Sequence, residues 1–153
     1  MRQRQYGRAK SLTAKGLEVK PGNERLLVLN QKIKQELLDK AESCIEANQL
    51  TTPENDSAAF YFNEVSKLFP DSGAAKEGYE RIAGRYADLA EGAMTQFQYA
   101  RARSLTAKGL ALKPGDNRLL NLNRQIKQDL LLKAENCIQA DQLTTPENDS
   151  AAF

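Results

Sequence analysis

The chain predicts an all-α fold built as a tandem repeat of about six helices, and three observations lead there. Residues 5–60 recur as residues 98–153 with a constant offset of 93, so that Tyr6 matches Tyr99, Pro21 matches Pro114, Cys44 matches Cys137 and Phe60 matches Phe153. About three quarters of the aligned positions are identical, with no gap, and a long fixed period marks a solenoid or array. Apolar residues recur at spacings of three and four between proline stops, which is the helical period. Alternating apolar runs and hairpin-turn dipeptides are missing, so no strand is expected. Residues 1–153 read as one helical-repeat domain in which 61–97 supply the helices between the two copies.

Tyr6 to Val19 forms the first expected helix, with Tyr6, Ala9, Leu12, Thr13, Gly16 and Leu17 on one face. Small Ala9 and Gly16 let a neighbouring helix approach closely, and Pro21-Gly22 stops the helix. Asn23 is a good N-cap for a second helix running to about Ala47. Leu26, Leu29, Ile33, Leu37, Ala41, Cys44 and Ile45 make its apolar stripe, with Lys32, Gln35, Glu36, Asp39 and Glu42 off it. Leu50 to Ser57 is a loop containing Pro53; Thr51 with Glu54 has capping-box spacing, while Asp56 and Ser57 are rival caps. Ala58 to Phe69 is the third helix, with Tyr61, Phe62, Val65 and Leu68 apolar. Pro70-Asp71-Ser72 ends it and caps the fourth, which carries Ala75, Tyr79, Ile82, Ala83, Tyr86, Leu89 and Ala90, with Gly92 as a stop or tight crossing. Phe97 to Leu112 repeats the first helix, Asp116 to about Ala140 the second, and Thr144 to Phe153 the loop.

The prolines align the helix ends. Twelve residues before each stands an alanine (Ala9, Ala58, Ala102), and five before stands Gly16, Val65 or Gly109. Alanine, a small or β-branched residue and proline at these intervals resemble the second helix of a tetratricopeptide repeat, and the resemblance covers the whole chain. It implies a right-handed α-solenoid of antiparallel helix pairs. The departures are specific: the family repeats every 34 residues, whereas here 49 residues separate Pro21 from Pro70 and 44 separate Pro70 from Pro114. The extra length falls in the first helix of each unit and in the 50–56 loop, and the family's Trp, Leu and Gly are missing there. The chain thus looks like an elongated, divergent variant, of a kind found in bacterial multi-domain proteins.

Composition narrows the function. Twenty-two Lys and Arg against 20 Asp and Glu give a net charge of +2, with the signs interspersed, the pattern of solvated helix faces rather than of a nucleic-acid footprint. No apolar run reaches the roughly 18 residues of a membrane span, and no signal peptide precedes Tyr6. Histidine is absent, which removes the commonest general base and His-containing metal sites. One cysteine per period gives no CxxC pair, and no phosphate-cradling glycine motif occurs. Catalytic, cofactor and metal sites are therefore not expected. Cys44 and Cys137 read as free thiols on the buried stripe, slow to react, and unpaired thiols tilt the compartment toward a reducing cytoplasm. Tyr61, Tyr79 and Tyr86 read as core.

What remains is surface. The resemblance implies a concave groove lined by the first helix of each unit: Arg25, Val28, Lys32 and Glu36; then Glu77, Arg81 and Arg85; then Arg118, Asn121, Gln125 and Asp129. Val28 and Lys32 stand where the family's carboxylate clamp needs Lys and Asn, so chaperone-tail binding is not implied. The expected function is a non-enzymatic scaffold for protein–protein interaction whose mildly basic groove takes an acidic peptide or segment. An RNA-binding helical repeat and a spacer within a larger protein are the alternatives. Both ends cut a repeat, so the chain reads as part of a longer array or an engineered duplication. Leu130, Cys137 and Ile138 are expected to be under-covered, which favours self-association through the ends.

Overall fold

The computed structural model describes the backbone of residues 2–140 and the side chains of residues 5–140. Six helices occupy them: α1 (Arg2–Val19), α2 (Glu24–Glu46), α3 (Ala58–Leu68), α4 (Ala74–Thr95), α5 (Tyr99–Leu112) and α6 (Asn117–Gln139). No strand occurs among the described residues. The expected repeat of the loop, Thr144 to Phe153, lies outside them.

Local chemistry accounts for the helix starts. The Asn23 side chain accepts from the Leu26 amide at 3.2 Å, and its counterpart Asp116 accepts from Arg118 and Leu119, both at 3.1 Å. Of the rival caps in the 50–57 loop, Ser57 is the one used: its hydroxyl accepts from the Phe60 amide at 3.3 Å. Each of these oxygens satisfies an amide that has no partner within the helix. Ser72 accepts from Ala74 at 3.4 Å at the start of α4.

Several boundaries differ from the sequence expectation. α1 starts at Arg2 rather than Tyr6. α4 passes through Gly92 to Thr95, and open space surrounds the Gly92 Cα. Gly92 is therefore neither a stop nor a tight crossing, because a single interior glycine costs a helix only about 1 kcal/mol. α5 starts at Tyr99, not Phe97. Phe97 instead has φ 56° and closes α4 as Asn48, with φ 57°, closes α2. In both closures the following amide reaches back five residues, Gln49 to Cys44 O and Gln98 to Ala93 O, at 2.8 and 2.9 Å. This is the left-handed helix end in which glycine or asparagine is usual.

The chain divides inside α4 into two units, residues 2–82 and 83–140. In the first, α1 packs on α2 and α2 on α3. Its core holds Ile33, Leu37, Ala41 and Cys44 of α2 with Ala58, Phe62 and Val65 of α3, and Leu50 of the loop, 1% exposed. The Phe62 ring lies against Gly78 where a β-carbon would sit, so a glycine is needed at that crossing. Thr13 is buried on α1 and satisfies its hydroxyl on the Lys10 and Ala9 carbonyls at 2.8 and 3.1 Å.

In the second unit, α5 packs on α6, and the C-terminal half of α4 packs over both. Ala83, Ala87 and Ala90 pack with Leu119 and Leu122 of α6, and Leu105 and Leu110 of α5 flank them. Ala93 packs with Ala102 of α5 and Ile126 of α6. Alanines on α4 allow the close approach, and Gly109 of α5 faces Leu119 and the Tyr86 Cβ.

Four stripe assignments change, the first being Leu12 of α1, which is 61% exposed. Leu29 is 44% exposed and Leu26 only half-buried, although their copies Leu122 and Leu119 are 5% and 0% exposed. Cys137, expected to be under-covered, is 6% exposed, whereas Leu130 is half-buried and Ile138 is 51% exposed. Cys137 is thus covered, and the exposure falls on its stripe neighbours.

Candidate functional site

The expected groove positions fall in both units and are taken unit by unit. In the first, Arg25, Val28, Lys32 and Glu36 project from α2 at spacings of three and four and are exposed, as are Glu77 and Arg81 of α4. Leu27, Val28, Gln31, Lys32 and Gln35 line a shallow depression of about 390 Å³. Leu27 and Val28 are 45% and 54% exposed, so α2 shows solvent an apolar strip bordered by a cation. Leu27 does not stand out in the sequence, because the core stripe accounts for the leucines on either side of it.

Arg81 is not a free cation. Its guanidinium forms a bidentate pair with the Glu42 carboxylate across from α4 to α2. A second shallow hollow lies where Lys10, Asn30 and Lys34 meet Phe69–Ser72. Lys10 Nζ sits 4.3 Å from the centre of the Phe69 ring and donates to Asn30 Oδ1 at 2.9 Å, so that lysine is engaged from both sides.

In the second unit, Arg118, Asn121 and Gln125 are exposed, and Arg85 and Asp129 are half-buried. Arg118 bridges α6 to α4. Its Nε donates to Glu91 Oε1 at 2.7 Å and its Nη2 to Oε2 at 2.6 Å, while Nη1 lies 2.8 Å from Asp88 Oδ1. The hydrogen bond from Arg118 holds the Glu91 carboxyl below the usual carboxylate range. In turn Glu91 and then Asp88 raise the Arg118 pKa further above its already high value. Arg85 is 4.0 Å from Asp88 on its own helix. Two of the groove's cations, Arg81 and Arg118, thus serve as struts between helices, whereas Arg25 and Lys32 on the α2 strip make no ion pair among the described residues.

Two of the three tyrosines read as core from sequence are core. Tyr61 and Tyr86 are buried and Tyr79 is half-buried. The Tyr61 hydroxyl donates to Asp56 Oδ1 at 2.6 Å, tying the 50–57 loop to α3. Burial, reinforced by that hydrogen bond, pushes the Tyr61 pKa well above the ordinary tyrosine value, and burial also raises that of Tyr79. Neither cysteine forms a disulfide among the described residues, and both are buried. Burial, with the nearby Asp56 carboxylate, raises the Cys44 thiol pKa, which lowers its thiolate fraction and slows its reactions.

No cluster of three or more potential metal ligands occurs among the described residues. No described helix is long and apolar enough to cross a membrane. The chain is thus of the all-α class, with six helices among the described residues. Compared with known proteins, it matches no family model, no curated protein and no solved structure.

Proposed function

We propose that this chain is a non-enzymatic helical-repeat scaffold of the tetratricopeptide type, a solenoid of antiparallel helix pairs that binds an acidic peptide or segment. Support for the repeat reading comes from contacts that recur along the chain. Sequence-adjacent helices pack as α1 with α2, α2 with α3 and α5 with α6, and ion pairs skip one helix, from α2 to α4 and from α4 to α6. The observation that carries the binding function is the α2 strip. Leu27 and Val28 are exposed beside Lys32, with Arg25 one turn away, so an acidic ligand with one apolar side chain finds both an anchor and a counter-charge. The second copy has Asn121 in place of Val28 and Gln125 in place of Lys32, which assigns peptide binding to the first.

The test is selection of peptides on the intact chain from a random displayed library, followed by titration of the winners. Acidic sequences with an apolar residue, weakened at least tenfold by Val28→Asp or Lys32→Glu, are the expected result. Enrichment without acidic bias, or winners indifferent to both substitutions, refutes it. Tight, salt-sensitive binding of single-stranded RNA in a parallel titration would instead favour the nucleic-acid reading.

A further inference from the structure

We propose that the face formed by Ala9, Leu12, Gly16, Leu26 and Leu29, with Arg25 at its rim, is a docking site for an acidic, alanine-faced helix of the kind that α4 supplies to the second copy. The second copy shows what such a face accepts. There the equivalent residues, Ala102, Leu105, Gly109, Leu119 and Leu122, lie under the C-terminal half of α4. Ala83, Ala87 and Ala90 of α4 fit between the leucines, and the Tyr86 Cβ would stand 3.1 Å from a β-carbon on Gly109. Arg118 then clamps Asp88 and Glu91.

Every element of that seat is present in the first copy, and no helix among the described residues covers it as α4 covers the second. Leu12 is 61% exposed, while Leu105 packs into both clusters beneath α4. The three atoms nearest a β-carbon on Gly16 all belong to Leu26. Arg25, the counterpart of Arg118, is exposed and has no ion-pair partner among the described residues. Apolar shape and charge therefore specify one kind of occupant: a helix with small residues at i, i+4 and i+7 and carboxylates at i+5 and i+8, as Ala83, Ala87, Ala90, Asp88 and Glu91 are spaced. A second copy of this chain does not supply it, because Ala83, Ala87 and Ala90 of its own α4 are at most 1% exposed. This surface shares only Arg25 with the α2 strip, and the two readings can fail separately because Leu12 and Leu29 belong to the one and Val28 and Lys32 to the other.

The test uses the full chain and a fluorescent synthetic peptide of residues 74–95, followed by anisotropy. Saturable binding is expected. Leu29→Arg and Leu12→Arg should each weaken it by more than about tenfold, because each removes an apolar contact and inserts a cation. Both leucines are exposed, so helical content by circular dichroism should not change. Arg25→Ala, or Asp88→Asn with Glu91→Gln in the peptide, should weaken binding about two- to fivefold, and the two changes together should be no worse than either alone. Lys32→Glu on the strip and Arg118→Ala should leave it unchanged. Absence of saturable binding overturns the proposal. So does sensitivity to Arg118→Ala but not Arg25→Ala, which would mean that the peptide displaces the resident α4. Sedimentation showing that the chain dimerises and that Leu12→Arg abolishes the dimer would overturn it too, by assigning the face to a second copy.

Discussion

Two segments of nearly the same sequence have two different interiors. In α1–α2 the buried part of the long helix is its C-terminal two thirds, Ile33, Leu37, Ala41 and Cys44, while Leu26 and Leu29 near its start are half-buried and exposed. In α5–α6 the buried part shifts toward the start, Leu119, Leu122 and Ile126, with Cys137 alone near the end. Leu37 is 1% exposed, but its copy Leu130 is half-buried. The helices themselves match closely, α2 and α6 having 23 residues each, so the difference comes from their neighbours. α3 lies along α2, and α4 lies on α5 and the beginning of α6. A repeat helix offers one continuous apolar stripe, and the adjacent helix decides which stretch of it becomes core.

The comparison is broken most directly by truncating equivalent leucines. Leu122→Ala should cost about 2–5 kcal/mol, since it leaves a cavity under α4, while Leu29→Ala should cost less than about 1 kcal/mol. Urea unfolding of the two variants measures both, and equal losses would mean that cover does not differ between the copies. Glycines separate the copies next, by sign. Gly109→Ala pushes a methyl against buried Leu119 and the Tyr86 Cβ and should destabilise by about 1–3 kcal/mol. Gly16→Ala comes nearest to the end of the half-buried Leu26 side chain, which can swing away. It should gain up to about 1 kcal/mol from helix propensity, read as a rise in the urea midpoint.

A third pair tests the helix ends. Phe97 holds φ 56° and is 76% exposed, where Asn48 holds φ 57° at the corresponding place after α2. A bulky side chain is strained in that conformation and asparagine is tolerated. Phe97→Gly should therefore stabilise by about 1 kcal/mol, and Asn48→Gly should change stability by less, both measured by thermal melting. The smallest effect belongs to the arginines. Arg118→Ala should cost at most about 1 kcal/mol, because its partners are nearly half exposed and screened by water, and Arg25→Ala about nothing. The pH dependence has a definite sign. The Glu91 pKa is lowered in the fold from an ordinary 4.5, so its contribution is present above that value and is lost as pH falls through the folded pKa. The stability gap between the parent chain and Arg118→Ala should thus shrink in acid and in high salt.

Much of this was legible in the sequence. Asn23 and Asp116 gave the starts of α2 and α6, the Pro70-Asp71-Ser72 turn gave the break before α4, and the apolar spacing gave six helices. Other features were hidden. Leu50 looked like a loop residue because nothing about it is periodic, yet it is buried beside α3. Gly92 looked like a stop, but one glycine is too weak a signal against the helix formers around it. Arg81 and Arg118 read as groove cations because their carboxylate partners are 39 and 27 residues distant. Such pairs are set by packing and not by local pattern.

The sequence alone determined that this protein is helical, that its helices repeat, and which face of each is apolar, because caps, prolines and the helical period act within a few residues. The tertiary structure alone decided which copy of each leucine is core, which arginine is a strut, and which glycine a methyl group would break. Those outcomes depend on what lies across from a residue, and two segments with nearly the same sequence carry no local record of having different neighbours.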